Sequence, residues 1–126
     1  MGGTLVIKSQ NAFVVYGTQG WLGSLNTLDN SQTYMIQVSQ PLDLLIDGIP
    51  LDALAQPLTL SLGWNWIAFP HDTPMSVAAA LGDFTPSDGD VIKGQQGFST
   101  YNASENRWVG SLNTLVPGKG YMYYKN

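Results

Sequence analysis

Apolar and polar residues alternate over short stretches along most of this chain, and glycine, asparagine and serine separate the stretches. Because successive side chains of a strand point to opposite faces of a sheet, this two-residue period predicts β-strands joined by tight turns. The pattern therefore predicts an all-β fold, either a sandwich or an open barrel. The predicted strands cover residues 4–9, 12–17, 20–24, 33–39, 43–47, 58–69, 90–95, 97–102, 107–111 and 120–125.

The longest predicted strand, residues 58–69, has large apolar residues at every second position. Its second face is polar at first and turns apolar at Ile67 and Phe69. An apolar stripe of this length is typical of a strand face that lies in a core. We therefore expect the two tryptophans of this stripe to be core residues. The stripe consists of Leu58, Leu60, Leu62, Trp64, Trp66 and Ala68.

One short helix is predicted after this strand. Thr73 suits the N-cap, Pro74 suits the first helical position, and Gly82 suits the end of the helix. Apolar residues follow the helical spacing, so we expect the helix to cover one face of a sheet. These residues are Pro74, Val77, Ala78 and Leu81.

Two parts of the sequence repeat each other. Residues 6–16 align with residues 91–101 and are identical at six of eleven positions. Residues 21–28 align with residues 108–115 and are identical at seven of eight positions. The offset is 85 residues in the first block and 87 in the second, so the second copy has a two-residue insertion between the blocks.

This repetition predicts one β domain over residues 1–126 that consists of two units. A partial repeat unit spans residues 4–38, a connecting segment spans residues 39–57, and a full repeat unit spans residues 58–125. Repeat units rarely bury their apolar faces alone, so we expect the two units to pack on each other. A unit without its upstream strand also leaves a sheet edge uncovered, through which the chain can form a dimer.

Composition excludes several classes of function. The net charge is −4, and the five basic residues are scattered along the chain, so a basic surface for nucleic acid is absent. No apolar run approaches the length of a membrane span, and we expect no membrane insertion. Only 11% of residues are charged, and uncharged polar residues dominate the surface, a balance typical of extracellular β-domains. The chain has no cysteine, which excludes disulfides and thiolate chemistry.

Four motifs of the second unit stand out: Gly-Trp-Asn-Trp-Ile at residues 63–67, Gly-Asp-Val-Ile-Lys at 89–93, Trp-Val-Gly-Ser-Leu at 108–112 and Pro-Gly-Lys-Gly-Tyr-Met at 117–122. They resemble the tandem repeat modules of large secreted or cell-surface bacterial proteins. The resemblance covers residues 58–124 and part of residues 6–35. It implies an exported, non-catalytic β module, extracellular or at the cell surface, and it implies no ligand. In such a setting we predict a structural or adhesive role, with a glycan or another surface protein as the partner.

Aromatic residues at matching places in the two copies are the candidate ligand-binding residues. Trp21 corresponds to Trp108, and Tyr16 corresponds to Tyr101. Their rings can serve as stacking platforms for pyranose rings, which makes a carbohydrate-binding module the alternative function. The interpretation that we favour for Trp21 and Trp108 is that they are large core residues that two similar units both need. Lys8 and Lys93 also repeat, either on a solvated strand face or as contacts to a partner.

Residues that could support catalysis or metal binding are few. His71 is the only histidine, and a hydrolase built on it needs a serine or aspartate within hydrogen-bond reach. Asp83, Asp88 and Asp90 lie close together in sequence, but their spacing does not match a calcium-binding loop. We therefore expect no catalytic residues, no cofactor and no metal, and we predict that the chain is not an enzyme.

Overall fold

Antiparallel strands form nearly all of the regular structure in the computed structural model, which describes residues 4–29, 31–43, 45 and 58–126. Within these residues they form a four-stranded, a five-stranded and a two-stranded sheet, with one short helix, and the all-β prediction is confirmed. The predicted strand at 43–47 falls largely outside the described residues. The elements are β1 (Leu5–Lys8), β2 (Phe13–Gly17), β3 (Gly20–Gly23), β4 (Met35–Val38), β5 (Gly63–Ile67), β6 (Met75–Ser76), α1 (Val77–Leu81), β7 (Val91–Lys93), β8 (Phe98–Asn102), β9 (Arg107–Gly110), β10 (Thr114–Leu115) and β11 (Tyr121–Lys125).

The N-terminal sheet has the strand order β3-β2-β1-β4 and a small apolar cluster on its inner face. Leu5, Ile7 and Val14 are buried there, and Leu25 and Tyr34 pack against them. The alternation of β1 explains this cluster, because Leu5 and Ile7 point to one side of the sheet while Val6 and Lys8 point to the other.

The C-terminal sheet has the strand order β5-β11-β7-β8-β9 and the larger core. Its buried face is covered by α1, whose Val77 and Leu81 are buried against it. Side chains from β5, β7 and β11 complete this core, together with β10. The buried residues of this cluster are Ile67, Val77, Leu81, Ile92, Leu115, Tyr121 and Tyr123.

The helix begins three residues later than predicted. Ser76, and not Thr73, is the N-cap, and its side chain accepts a hydrogen bond from the N–H of Ala79. The reason is tertiary, because Met75 and Ser76 pair with β10 as the strand β6 and hold the preceding residues extended. Gly82 ends the helix as predicted. Within the described ranges no helix is long and apolar enough to cross a membrane.

Corresponding residues of the two large sheets pair in the same register. Lys8 lies opposite both Phe13 and Met35 in the N-terminal sheet. At the corresponding places of the C-terminal sheet, Lys93 lies opposite both Phe98 and Met122. The two-residue insertion falls in a hairpin turn, where residues 103–106 replace residues 18 and 19. The register on both sides of the insertion is therefore unchanged.

The prediction for residues 58–69 is wrong in two respects: the strand is shorter, and its tryptophans lie on the face that points away from the core. Only residues 63–67 form a strand, because Gly63 has a φ of 89° and Asn65 exchanges hydrogen bonds with the N–H and carbonyl of Ser61. This bend breaks the alternation that the leucines began. Ile67 points into the core, whereas Trp64 and Trp66 point to the opposite face.

The two units meet where loops of the N-terminal unit reach the outer edge of β5. Nε2 of Gln10 donates to the carbonyl of Trp64 at 2.7 Å, and Oε1 of Gln10 accepts from the N–H of Trp66 at 2.9 Å. The carbonyl of Ser31 accepts from the N–H of Ala68 at 3.3 Å. These bonds occupy backbone groups that an edge strand otherwise leaves unpaired.

Candidate functional site

The outer face of the C-terminal sheet presents a group of apolar side chains around one lysine, which we name the aromatic face. Tyr124 lies opposite Trp64, and in the next row Met122 lies opposite both Trp66 and Lys93. Residues that pair directly across antiparallel strands share a face, so these side chains are neighbours. The aromatic face consists of Trp64, Trp66, Lys93, Phe98, Met122 and Tyr124.

The side chains of the aromatic face are accessible. Trp64 is 45% exposed, Tyr124 is 36% exposed and Phe98 is 56% exposed. The rings of Trp64 and Tyr124 pack edge to face with their centroids 5.3 Å apart. The Nζ atom of Lys93 lies 6.0 Å from the centroid of the Trp64 ring, at the outer limit of a cation–π contact.

The alternation of β11 explains why this face is left open. Tyr121 and Tyr123 point inward and are buried, so Met122 and Tyr124 must point outward. The helix that covers the sheet packs only against the inner face. Lys93 has no acidic partner within the described part of the chain, so its charge remains available for an anionic or polar group.

Part of the outer face repeats between the two units. Lysine, phenylalanine and methionine occupy the same paired positions in both sheets, and Phe13 and Phe98 are both exposed. Packing in the core does not explain the repetition of these exposed phenylalanines.

The structure places the four predicted ligand residues at the inner side of the hairpins, away from the aromatic face. Tyr16 and Trp21 are 38% and 49% exposed, and their ring centroids lie 4.8 Å apart at an angle of 55°. Tyr101 and Trp108 are half-buried, with centroids 5.3 Å apart at 60°. Neither pair is coplanar.

Trp108 contributes to the core, whereas Trp21 does not. The ring of Trp108 packs edge to face on buried Tyr123 at 5.9 Å. The N-terminal sheet has Ile36 where the C-terminal sheet has Tyr123, and Trp21 remains about half exposed. The core interpretation therefore applies to Trp108 in the second copy, whereas Trp21 in the first copy is an accessible ring.

Sequence reasoning missed the aromatic face because it assigned Trp64 and Trp66 to the core. The repeated lysines were a usable signal, since Lys8 and Lys93 share a polar strand face with Gln10 and Gln95. The register of β7 with β8 and β11 places Lys93 beside Phe98 and Met122 on the open face.

A buried carboxylate holds the chain terminus to the turn before β7. Asp90 is fully buried, and its oxygens accept from the hydroxyl of Tyr123 at 2.6 Å and the N–H groups of Ser87 at 3.0 Å and Asn126 at 2.8 Å. Burial raises the pKa of Tyr123, and the hydrogen bond to Asp90 raises it further. This network satisfies the carboxylate internally, which indicates a structural role.

His71 lies at a groove of about 1160 Å³ between β5 and α1, which Phe69 and Phe84 also line. Its ring packs against Phe69 with the centroids 5.1 Å apart. Among the residues that the structure describes, no hydrogen bond joins His71 to a serine or an aspartate. Asp88 accepts a hydrogen bond from the N–H of Ala103, an ordinary turn contact. Residues 4–29, 31–43, 45 and 58–126 contain no group of three histidines or acids that could hold a metal ion.

Comparison with protein families, curated proteins and solved structures finds no match to this chain.

Proposed function

We propose that this chain is a non-catalytic, adhesive β module of a secreted or cell-surface bacterial protein, and that the aromatic face contacts its partner. The observation that carries the proposal is the accessible pair of Trp64 and Tyr124 beside Lys93 on one sheet face. Contiguous exposed apolar surface of this kind is typical of interaction sites. The bacterial surface setting rests on the resemblance of the repeat motifs.

The chemistry of the aromatic face suits a glycan or an exposed protein surface. An indole ring offers a flat apolar area on which the carbon-bound hydrogens of a pyranose ring can pack. The lysine beside it supplies three N–H donors for hydroxyl or carboxylate oxygens. Such binding needs no general acid or base. The buried carboxylate of Asp90 is accordingly bonded to Tyr123 in the interior and is not presented to a ligand.

The four tryptophans provide a direct test, because each gives one indole N–H signal in a nitrogen-edited NMR spectrum. The protein is titrated with soluble bacterial oligosaccharides that bind it on a glycan array. We expect the Trp64 signal to move and the Trp64→Ala variant to lose binding by about tenfold or more. Leu62→Ala is the matched control, since Leu62 is exposed but lies outside the aromatic face. Binding that both variants retain equally would refute the proposal.

The second candidate function is a carbohydrate-binding module that uses the predicted residues Tyr16 and Trp21. The observation that favours it is the exposure of both rings in the N-terminal unit. A cavity of about 280 Å³ adjoins Trp21, and Ile7, Val14 and Leu28 line it. In the NMR titration this candidate predicts a shift of the Trp21 indole signal with the Trp64 signal unchanged. Loss of binding in Trp64→Ala together with full binding in Trp21→Ala would contradict it.

A further inference from the structure

The side chain of Gln10 behaves like one residue of a neighbouring strand. Its amide group is a donor and an acceptor, and it binds the carbonyl of Trp64 and the N–H of Trp66, which lie on the outer edge of β5. A primary amide has the same pair of groups as a peptide bond, so it can satisfy both backbone groups of an edge strand at once. Through this contact the first unit holds the edge of the second.

The turn that carries Gln10 has an almost identical counterpart in the second unit. The N–H of Ser9 donates to the carbonyl of Ala12 at 2.8 Å, and the N–H of Gly94 donates to the carbonyl of Gly97 at 2.8 Å. Gln10 and Gln95 follow Ser9 and Gly94 directly, and the strands on both sides of the two turns pair in the same register. The two glutamines are therefore presented in the same way by their sheets.

Gln95 is exposed, and its side chain makes no hydrogen bond to any described residue. The backbone geometry that surrounds it is nevertheless the geometry that Gln10 uses. The other contact of the junction is made by Ser31, and the corresponding residue of the second unit is Gly118, which is also exposed. Gln10 and Ser31 therefore both have accessible counterparts in the second unit.

We propose that the turn at residues 94–97 is a docking site for the edge of another strand of the β5 type, supplied by a further repeat unit. Gln95 would bind the carbonyl and N–H of the two tryptophans in a Gly-Trp-Asn-Trp-Ile strand, as Gln10 does within this chain. Such a contact is head to tail, and it extends units in one direction as in other repeat proteins. The occupant follows from the junction within the chain, where that strand is the partner of the same turn. This inference does not depend on the ligand of the aromatic face.

The test appends a copy of residues 60–70 to Asn126 through a flexible Gly-Ser linker, which raises the effective concentration of the strand to the millimolar range. NMR then follows the side-chain amide signals of Gln95 and the hydrogen exchange of the appended tryptophan N–H groups. We expect the Gln95 signals to move and the exchange of the appended N–H that copies Trp66 to slow. Gln95→Ala should weaken this association by about tenfold or more, because two hydrogen bonds are lost.

Two controls separate this docking from non-specific adhesion of an apolar peptide. An appended strand with proline in place of the residue that copies Trp66 has no N–H for Oε1 of Gln95 and should not dock. Docking that is unchanged in Gln95→Ala, or equally strong with the proline-containing strand, would overturn the proposal. Unmoved Gln95 signals would overturn it as well. The glycan titration is read from Trp64 and is independent of this outcome.

Discussion

Tyr123 and Asp90 form a fully buried hydrogen bond of 2.6 Å between β11 and the turn before β7. Two backbone N–H groups also point at the carboxylate, so this acid has three partners in the interior. The N-terminal unit has Leu5 in the place that corresponds to Asp90 and Ile36 in the place that corresponds to Tyr123. The polar pair is thus specific to the second unit, where it replaces apolar packing.

Tyr123→Phe should lower the free energy of unfolding by about 2 kcal/mol, because it removes one hydrogen bond to a buried charged group while Asp90 stays in place. Urea denaturation monitored by tryptophan fluorescence measures the change. Tyr124→Phe is the matched control, since this neighbouring hydroxyl is exposed and bonds to no described residue. Equal stability of the two variants would contradict a stabilising role for the buried pair.

The stability of the fold should decline at alkaline pH in a way that depends on Tyr123. Its pKa in the folded protein is raised by burial and by Asp90, whereas an exposed tyrosine in the unfolded chain ionises near pH 10. Below about pH 10 the phenol keeps its proton in both states and the contribution is complete. Above it the unfolded state binds fewer protons than the folded state, so the free energy of unfolding falls as pH rises.

The slope due to this one group approaches about 1.4 kcal/mol per pH unit once the unfolded tyrosine is ionised. Urea denaturation of the wild type and of Tyr123→Phe between about pH 8 and pH 11 isolates the contribution of Tyr123 to this slope. The range covers about three pH units around the usual pKa of tyrosine. The decline should be shallower in the variant. Parallel pH profiles would show that other groups cause the alkaline loss.

Gln10→Ala should destabilise the junction between the units, whereas Gln95→Ala should leave stability nearly unchanged. The first substitution removes two hydrogen bonds to β5, worth about 1–2 kcal/mol together, and the second removes none to a described residue. The two residues sit in matching turns, so each substitution controls for the other. Hydrogen exchange at the Trp66 N–H reads the effect locally and should become faster only in Gln10→Ala.

Trp108→Ala should cost about 3 kcal/mol of stability, because the indole packs on buried Tyr123 and its removal leaves a cavity. Trp21→Ala should cost clearly less, because that ring is about half exposed. Thermal and urea unfolding of both variants provide the comparison. Similar losses would contradict the division of these tryptophans into a core residue and an accessible ring.

Most strands were predictable because their signals are local. Alternation located β1, β2, β7, β8 and β11, and the aligned copies placed the insertion in a turn of the second unit. The two-residue strands β6 and β10 were not predicted, because each exists only through pairing with the other across about forty residues of chain. The same pairing moved the N-cap of the helix to Ser76.

The sequence by itself determined that this protein is built from short antiparallel strands and that corresponding residues occur in two units, because alternation and turn residues act between near neighbours. The tertiary structure alone decided which face of each sheet is covered. Alternation divides the residues of a strand between two faces but does not say which face meets the core. The bend at Gly63, the position of α1 and the contact of Gln10 with a strand more than fifty residues away settle that choice and leave Trp64 in the open.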